Sequence, residues 1–196
     1  MSGETRFTES SGLVDDKVML ERLQIAFGEK TFKDTVMPLY IVATEFYSGE
    51  AVVLSSGKLV DATRASSAIP LVFPPVKIDD KLLVDGAVSN PFPIDVAIKE
   101  GSDVIVAVGF ELPIRKRMNS YTAVTSHLNT LYMNNILKSS FSFYNVASHA
   151  EIIPILPTFD RQIGGFDHHQ LPYIIEKGEE AAEAQLPYIR KLLAET

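Results

Sequence analysis

The 196-residue chain is 46% hydrophobic and 22% charged, enough apolar material for one ordinary globular domain with its own core. Its formal net charge of -7 works against a phosphate backbone, which needs clustered Lys and Arg, so no nucleic-acid partner is expected. With no cysteine there can be no disulfide, thiol nucleophile or thiolate metal site.

Residues 1–11 are polar, read as disordered or tag-like, and lack the apolar core of a secretory signal. Val18, Leu20, Leu23, Ile25, Ala26 and Phe27 then give a helical face that Gly28 closes. Leu39 to Phe46 reads as a buried strand, and Ser48-Gly49-Glu50 turns it into a second short strand, Ala51 to Leu54, as a hairpin. Leu59 to Ala68 is a helix stopped by Pro70. Turns and short strands lead to Leu82-Leu83-Val84, which ends on Asp85 and turns on Gly86. Phe92 to Glu100 forms the next helix, with Asp95 in its first turn and Gly101 at its stop.

The β-branched run Val104 to Val108 is expected to be a strand covered on both faces. The basic run Arg115-Lys116-Arg117 after it reads as a solvated loop. A long helical region spans Ser120 to Ala147, with Ser139 as the place where it could break; its Phe141, Phe143 and Tyr144 read as a face packed on the core, with a lipid-contacting surface as the other reading. Ile152 to Leu156 is a further strand. Gln170 to Leu186 and Pro187 to Ala194 close the chain as helix, kinked or interrupted at Pro187. Strands separated by helices indicate a parallel, three-layered α/β architecture without repeats or a domain linker. No apolar run nears the roughly 18 residues of a membrane span, so the expected setting is cytoplasmic, with any membrane contact peripheral.

The strongest chemical signal is Asp85. A carboxylate at the end of a strand, beside a glycine that allows close approach, suits a general base. Equally, an Asp before Gly can simply accept hydrogen bonds from its own turn. Asp103 begins its strand and so lies at the opposite edge; Asp61 and Asp95 fall on helices, and Asp79-Asp80 reads as a solvated turn. A hydrolase with an Asp base needs a serine on a strained G-x-S-x-G turn, and no serine in the chain has that setting. Ser66 and Ser67 sit late in a helix, where small-residue packing explains them. Gly164-Gly165 stands alone and makes no phosphate loop. His168 and His169 are adjacent and point different ways, so no metal or other cofactor is expected.

Several blocks in order nevertheless resemble the C-terminal portion of the patatin-like phospholipase family, from about Gly12 to the C-terminus. They are Pro38 to Thr44, Gly49-Glu50 with Ser55-Ser56-Gly57, Arg64 to Pro70 with Phe73-Pro74-Pro75, Val84-Asp85-Gly86-Ala87 with Asn90 and Pro93, and Gly101 through Val108. The resemblance implies a three-layer α/β/α fold with a mostly parallel sheet, here lacking its first strand–helix units. It implies a serine lipid acyl hydrolase acting on phospholipid or related acyl esters through a Ser-Asp dyad. Asp85 takes the place of the acid in the family's D-G-G/A motif, with Ala87 as the variant residue. Ser66, Ser67, Ala68, Gly86 and Asn90 would border the cleft. The family's glycine-rich oxyanion loop and G-x-S-x-G elbow are missing from residues 12–196, which are therefore expected to be a portion of a single domain and inactive alone. Missing neighbours would expose a sheet edge and invite self-association or pairing with the absent half. The other reading is a non-catalytic interaction module that kept the fold and lost the nucleophile.

Overall fold

A computed structural model describes residues 16–112, 114, 120–147, 149–161, 163 and 167–195, in two units divided between Pro93 and Ile94. The polar N-terminal segment 1–11, the basic run 115–117 and Gly164-Gly165 lie outside the described residues.

In the first unit, helix α1 (Lys17–Phe27) ends at Gly28, whose φ of 55° suits glycine and whose N–H returns to the Gln24 carbonyl. Strand β1 (Ile41–Glu45) pairs with β2 (Ala51–Leu54) as the expected hairpin. Helix α2 (Leu59–Ser66) follows, then β3 (Val76–Ile78) and β4 (Lys81–Asp85). The four strands form one sheet in the order β2-β1-β4-β3, with every pairing antiparallel. The expected parallel pairing is thus absent from this sheet. For β1–β2 and β3–β4 the reason is connection length, since residues 46–50 and 79–80 are too short for a crossover and can only fold the chain back, whereas β4 returns antiparallel beside β1 after a longer path through α2.

Small side chains let α2 lie close on the sheet. Ala65 and Ala68 are fully buried against Ala43, Val76 and Leu83, while Leu59 and Ala62 pack with Phe32. Asp16 and Arg64 tie the start of α1 to α2 through a 2.6 Å ion pair whose carboxylate is nearly out of water.

The second unit does hold a parallel pair, β5 (Val104–Val108) and β6 (Glu151–Ile155). The intervening chain contains α4 (Tyr121–Ala147), long enough to carry a crossover between them. Preceding β5 is α3 (Ile94–Lys99), stopped by Gly101 at φ 85°. Helix α4 runs unbroken past Ser139, and α5 (Leu171–Glu195) runs through Pro187. Ser139 therefore marks no interruption. Nor is β5 covered on both faces: Ile105 and Ala107 are buried, whereas Val106 and Val108 are 43% and 69% exposed. On β6, by contrast, the neighbours Ile152 and Ile153 are both buried. In the aromatic cluster, Phe143 points outward while Phe141 and Tyr144 are half-buried.

Buried Asn134 acts as a backbone substitute in this unit. Its amide group donates to the Leu112 carbonyl and accepts from the Leu112 N–H at 2.9 and 2.8 Å, anchoring the chain beyond β5 to α4. Gly178 is a different matter, because a Cβ there would meet no atom within 4 Å. Gly178→Ala is therefore expected to stabilise α5 by about 0.5–1 kcal/mol. Thermal unfolding checks this; a lower melting temperature would contradict it.

Candidate functional site

β4 carries Asp85 at its last position, level with Ala43 of β1. The Asp85 N–H donates to the Ala68 carbonyl just beyond α2, at 3.0 Å, so the strand end is bound to the helix as well as to the sheet. Its side chain caps the one-turn 3-10 segment Gly86–Val88: Oδ1 accepts the Ala87 N–H at 2.8 Å. That is the local bond expected of any Asp-Gly turn. The second oxygen, Oδ2, accepts no hydrogen bond from the described residues. A half-buried carboxylate thus has one oxygen fixed by its own turn and one that no described residue holds by a hydrogen bond.

Its electrostatics follow from the same geometry. Burial raises the Asp85 pKa above the ordinary carboxylate value, and the Ala87 N–H only partly offsets that rise. Among the described residues, no cation enters the balance.

Gly86 is required here by space. Its φ is not in the left-handed region; instead, a Cβ would fall 2.2 Å from the Val42 carbonyl oxygen and 2.8 Å from its carbon. The turn after β4 passes directly against the backbone of β1. Ser89 and Asn90 close this turn, both donating their N–H groups to the Gly86 carbonyl.

The other expected cleft residues cluster around the same strand end. Ser66 is the last residue of α2 and Ser67 its cap, both half-buried. Ala68 is fully buried, so its methyl belongs to the core and only its carbonyl meets the Asp85 backbone. Beyond it, Ile69 and Leu71 are 48% and 70% exposed, and Leu71 holds a φ of 69° that β-carbon-bearing residues rarely adopt. A separate groove of about 560 Å³, lined by Leu54, Lys58, Asp61, Arg64, Val76 and Asp79, does not include Asp85.

Thr44 and Ser89 were not legible as site residues. The Thr44 hydroxyl, 1% exposed as a residue, donates to the Asp85 carbonyl at 2.8 Å and lies 2.8 Å from the Ser89 hydroxyl. A hydroxyl-bearing residue in an otherwise apolar buried strand was the one available signal. Among the described residues, no three His, Asp or Glu side chains converge to hold a metal ion, and no helix is long and apolar enough to cross a membrane.

An acid-capped turn closing a mixed unit of helices and strands defines an α/β protein with a candidate proton acceptor. The chain belongs to the patatin-like phospholipase family, whose model matches residues 2–98 and so includes Asp85 and its turn. It is similar to an uncharacterized NTE family protein of Mycobacterium tuberculosis, with 26% identity over 148 residues, covering 74% of this chain and 39% of that protein. A Mycobacterium bovis protein of the same description matches to the same degree. A probable lipid hydrolase of Invertebrate iridescent virus 6 is 38% identical over 58 residues, 26% of this chain and 20% of its own. The chain thus spans about two fifths of the length of its mycobacterial relatives.

Proposed function

We propose that this chain is the acid-bearing portion of a serine lipid acyl hydrolase, in which Asp85 accepts the proton of a serine hydroxyl supplied by sequence outside these 196 residues. The observation that supports this most is that Ala87 holds Oδ1 of this carboxylate while Oδ2 accepts no hydrogen bond from the described residues. One oxygen fixes the orientation and the other is available to an incoming O–H. A dyad needs both, since no imidazole mediates the transfer.

The chemistry balances in two halves. Asp85 takes the serine proton as the serine oxygen forms a bond to the acyl carbonyl carbon. The tetrahedral adduct collapses, the ester C–O bond breaks, and the leaving alkoxide takes the proton back from Asp85. A water then gives its proton to Asp85 while attacking the acyl-serine, and the serine oxygen leaves with that proton. Burial suits Asp85 to this work, because a carboxylate whose pKa is raised by burial is a better base than an exposed Asp. The exposed Ile69 and Leu71, next in the chain after Ala68, offer apolar surface for an acyl chain beside the acid.

The membership of residues 2–98 in a phospholipase family supports the lipid substrate class. The chain contains no G-x-S-x-G, so it is expected to hydrolyse p-nitrophenyl esters no faster than buffer when alone. The same sequence joined in frame to a G-x-S-x-G segment is expected to turn them over. Turnover by the isolated chain that depends on Asp85 would refute the division of the site. If the full coding sequence holds no elbow, a non-catalytic interaction module becomes the reading.

A further inference from the structure

We propose that Thr44 and Ser89 form a hydroxyl clamp that positions Asp85, holding both ends of its capping turn to strand β1. The inference rests on Asp85 being the reactive acid, but the clamp itself is a matter of geometry.

Thr44 has one hydroxyl proton, and it goes to the Asp85 carbonyl at 2.8 Å. The 2.8 Å contact with Ser89 must therefore run the other way, with Ser89 donating to Thr44. The result is a directed chain: Ser89 O–H to Thr44 O–H to the Asp85 carbonyl. Asp85 precedes the 3-10 turn Gly86–Val88 and Ser89 follows it, so a single side chain on β1 grips both ends. What lies between the two grips is the Ala87 N–H that fixes Asp85 Oδ1. Linked hydroxyls partly shielded from water polarise one another, which makes the arrangement stiffer than two separate bonds.

Sequence separation argues for position over local folding. The Asp85 N–H to Gly86 carbonyl region already has its own bonds to Ala68, Ser89 and Asn90. A turn that needed only to form would not require a threonine 41 residues away. Lateral registration against β1 is what Thr44 adds, and an acid that must meet a hydroxyl from elsewhere depends on that registration to within a fraction of an ångström.

The test uses the chain as it stands, with two NMR readouts: hydrogen exchange of the Ala87 amide and titration of the Asp85 carboxyl. Thr44→Val, close in shape but without the hydroxyl, is expected to speed Ala87 exchange about tenfold. It should also bring the Asp85 titration down toward its ordinary value, because a loosened turn admits water. Thr44→Ser restores the hydroxyl and is expected to return both readouts to wild type. Ser89→Ala removes only the outer donor and should move them the same way by a few-fold in exchange.

A Thr44→Val chain that merely melts earlier, with both readouts unchanged, overturns the proposal and makes Thr44 a packing residue. Where Thr44→Val does not fold, Ser89→Ala decides, and wild-type behaviour in it overturns the clamp. Neither readout involves catalysis. In the elbow-bearing protein, loss of the clamp should lower kcat and leave KM unchanged. A fully active Asp85→Asn protein would sink the hydrolase reading while leaving the clamp intact.

Discussion

Replacing Asp85 with Asn in the nucleophile-bearing protein is expected to lower kcat about a hundred- to ten-thousand-fold, the range a positioned general base contributes. The fold should survive, and that separates chemistry from stability. Asn keeps a side-chain oxygen to accept the Ala87 N–H and caps a turn about as well as Asp. The pH dependence gives a second check. Because burial raises its pKa, folded Asp85 holds its proton to higher pH than the unfolded chain does. Its favourable contribution is therefore complete below the ordinary Asp value of 3.8 and is lost as pH rises through the raised folded value. Above that point the buried charge is a cost, and the Asn variant does not carry it. At pH 7 the variant is expected to melt at or above wild type, with its relative advantage shrinking on acidification. Activity should show the opposite trend, falling as pH drops through the same value, since only the ionised carboxylate accepts a proton. A variant that retains hydrolysis, or one that melts far below wild type at pH 7, would remove Asp85 from its role.

Gly86→Ala is expected to cost about 3 kcal/mol of stability, at the upper end for inserting one carbon into a packed site. The added methyl would sit 2.2 Å from a backbone oxygen, and a backbone cannot swing aside as a side chain can. Either β1 and β4 part or the turn after Asp85 shifts, and both displace the acid. A fall of roughly 6–12 °C in the melting temperature follows for a chain of this size. Circular dichroism would measure it, and a change under about 2 °C would show that the turn has more room than its geometry indicates. The contrast with Gly178→Ala, where the same methyl enters open space, makes the pair informative within one protein.

Local order was largely legible. The first helix and its Gly28 stop, the hairpin at Gly49, the helix from Leu59 and the strand ending at Asp85 were all readable, because each is set by nearby apolar spacing and by glycine or proline stops. Strand direction was legible only for the hairpin β1–β2 and the parallel pair β5–β6. Alternation of strands and helices pointed to parallel pairing, but β4 returns antiparallel beside β1 after the chain has passed through two short strands and a helix, and local pattern carries no record of such a partner. The open face of β5 was hidden for the same reason: a run of Val and Ile reports burial potential, and only the neighbouring elements decide how much of it is used.

The site divides along the same line. From Leu82 to Pro93 alone one could tell that an acid ends a strand, that a glycine follows it, and that the pair fits a hydrolase motif. The amino-acid order settled these points because a turn and its cap are made by residues within three or four positions of each other. Only tertiary structure decided why that glycine cannot be alanine and which buried threonine holds the turn. Each depends on β1 lying against β4, and contact between segments some forty residues apart arises from packing in space.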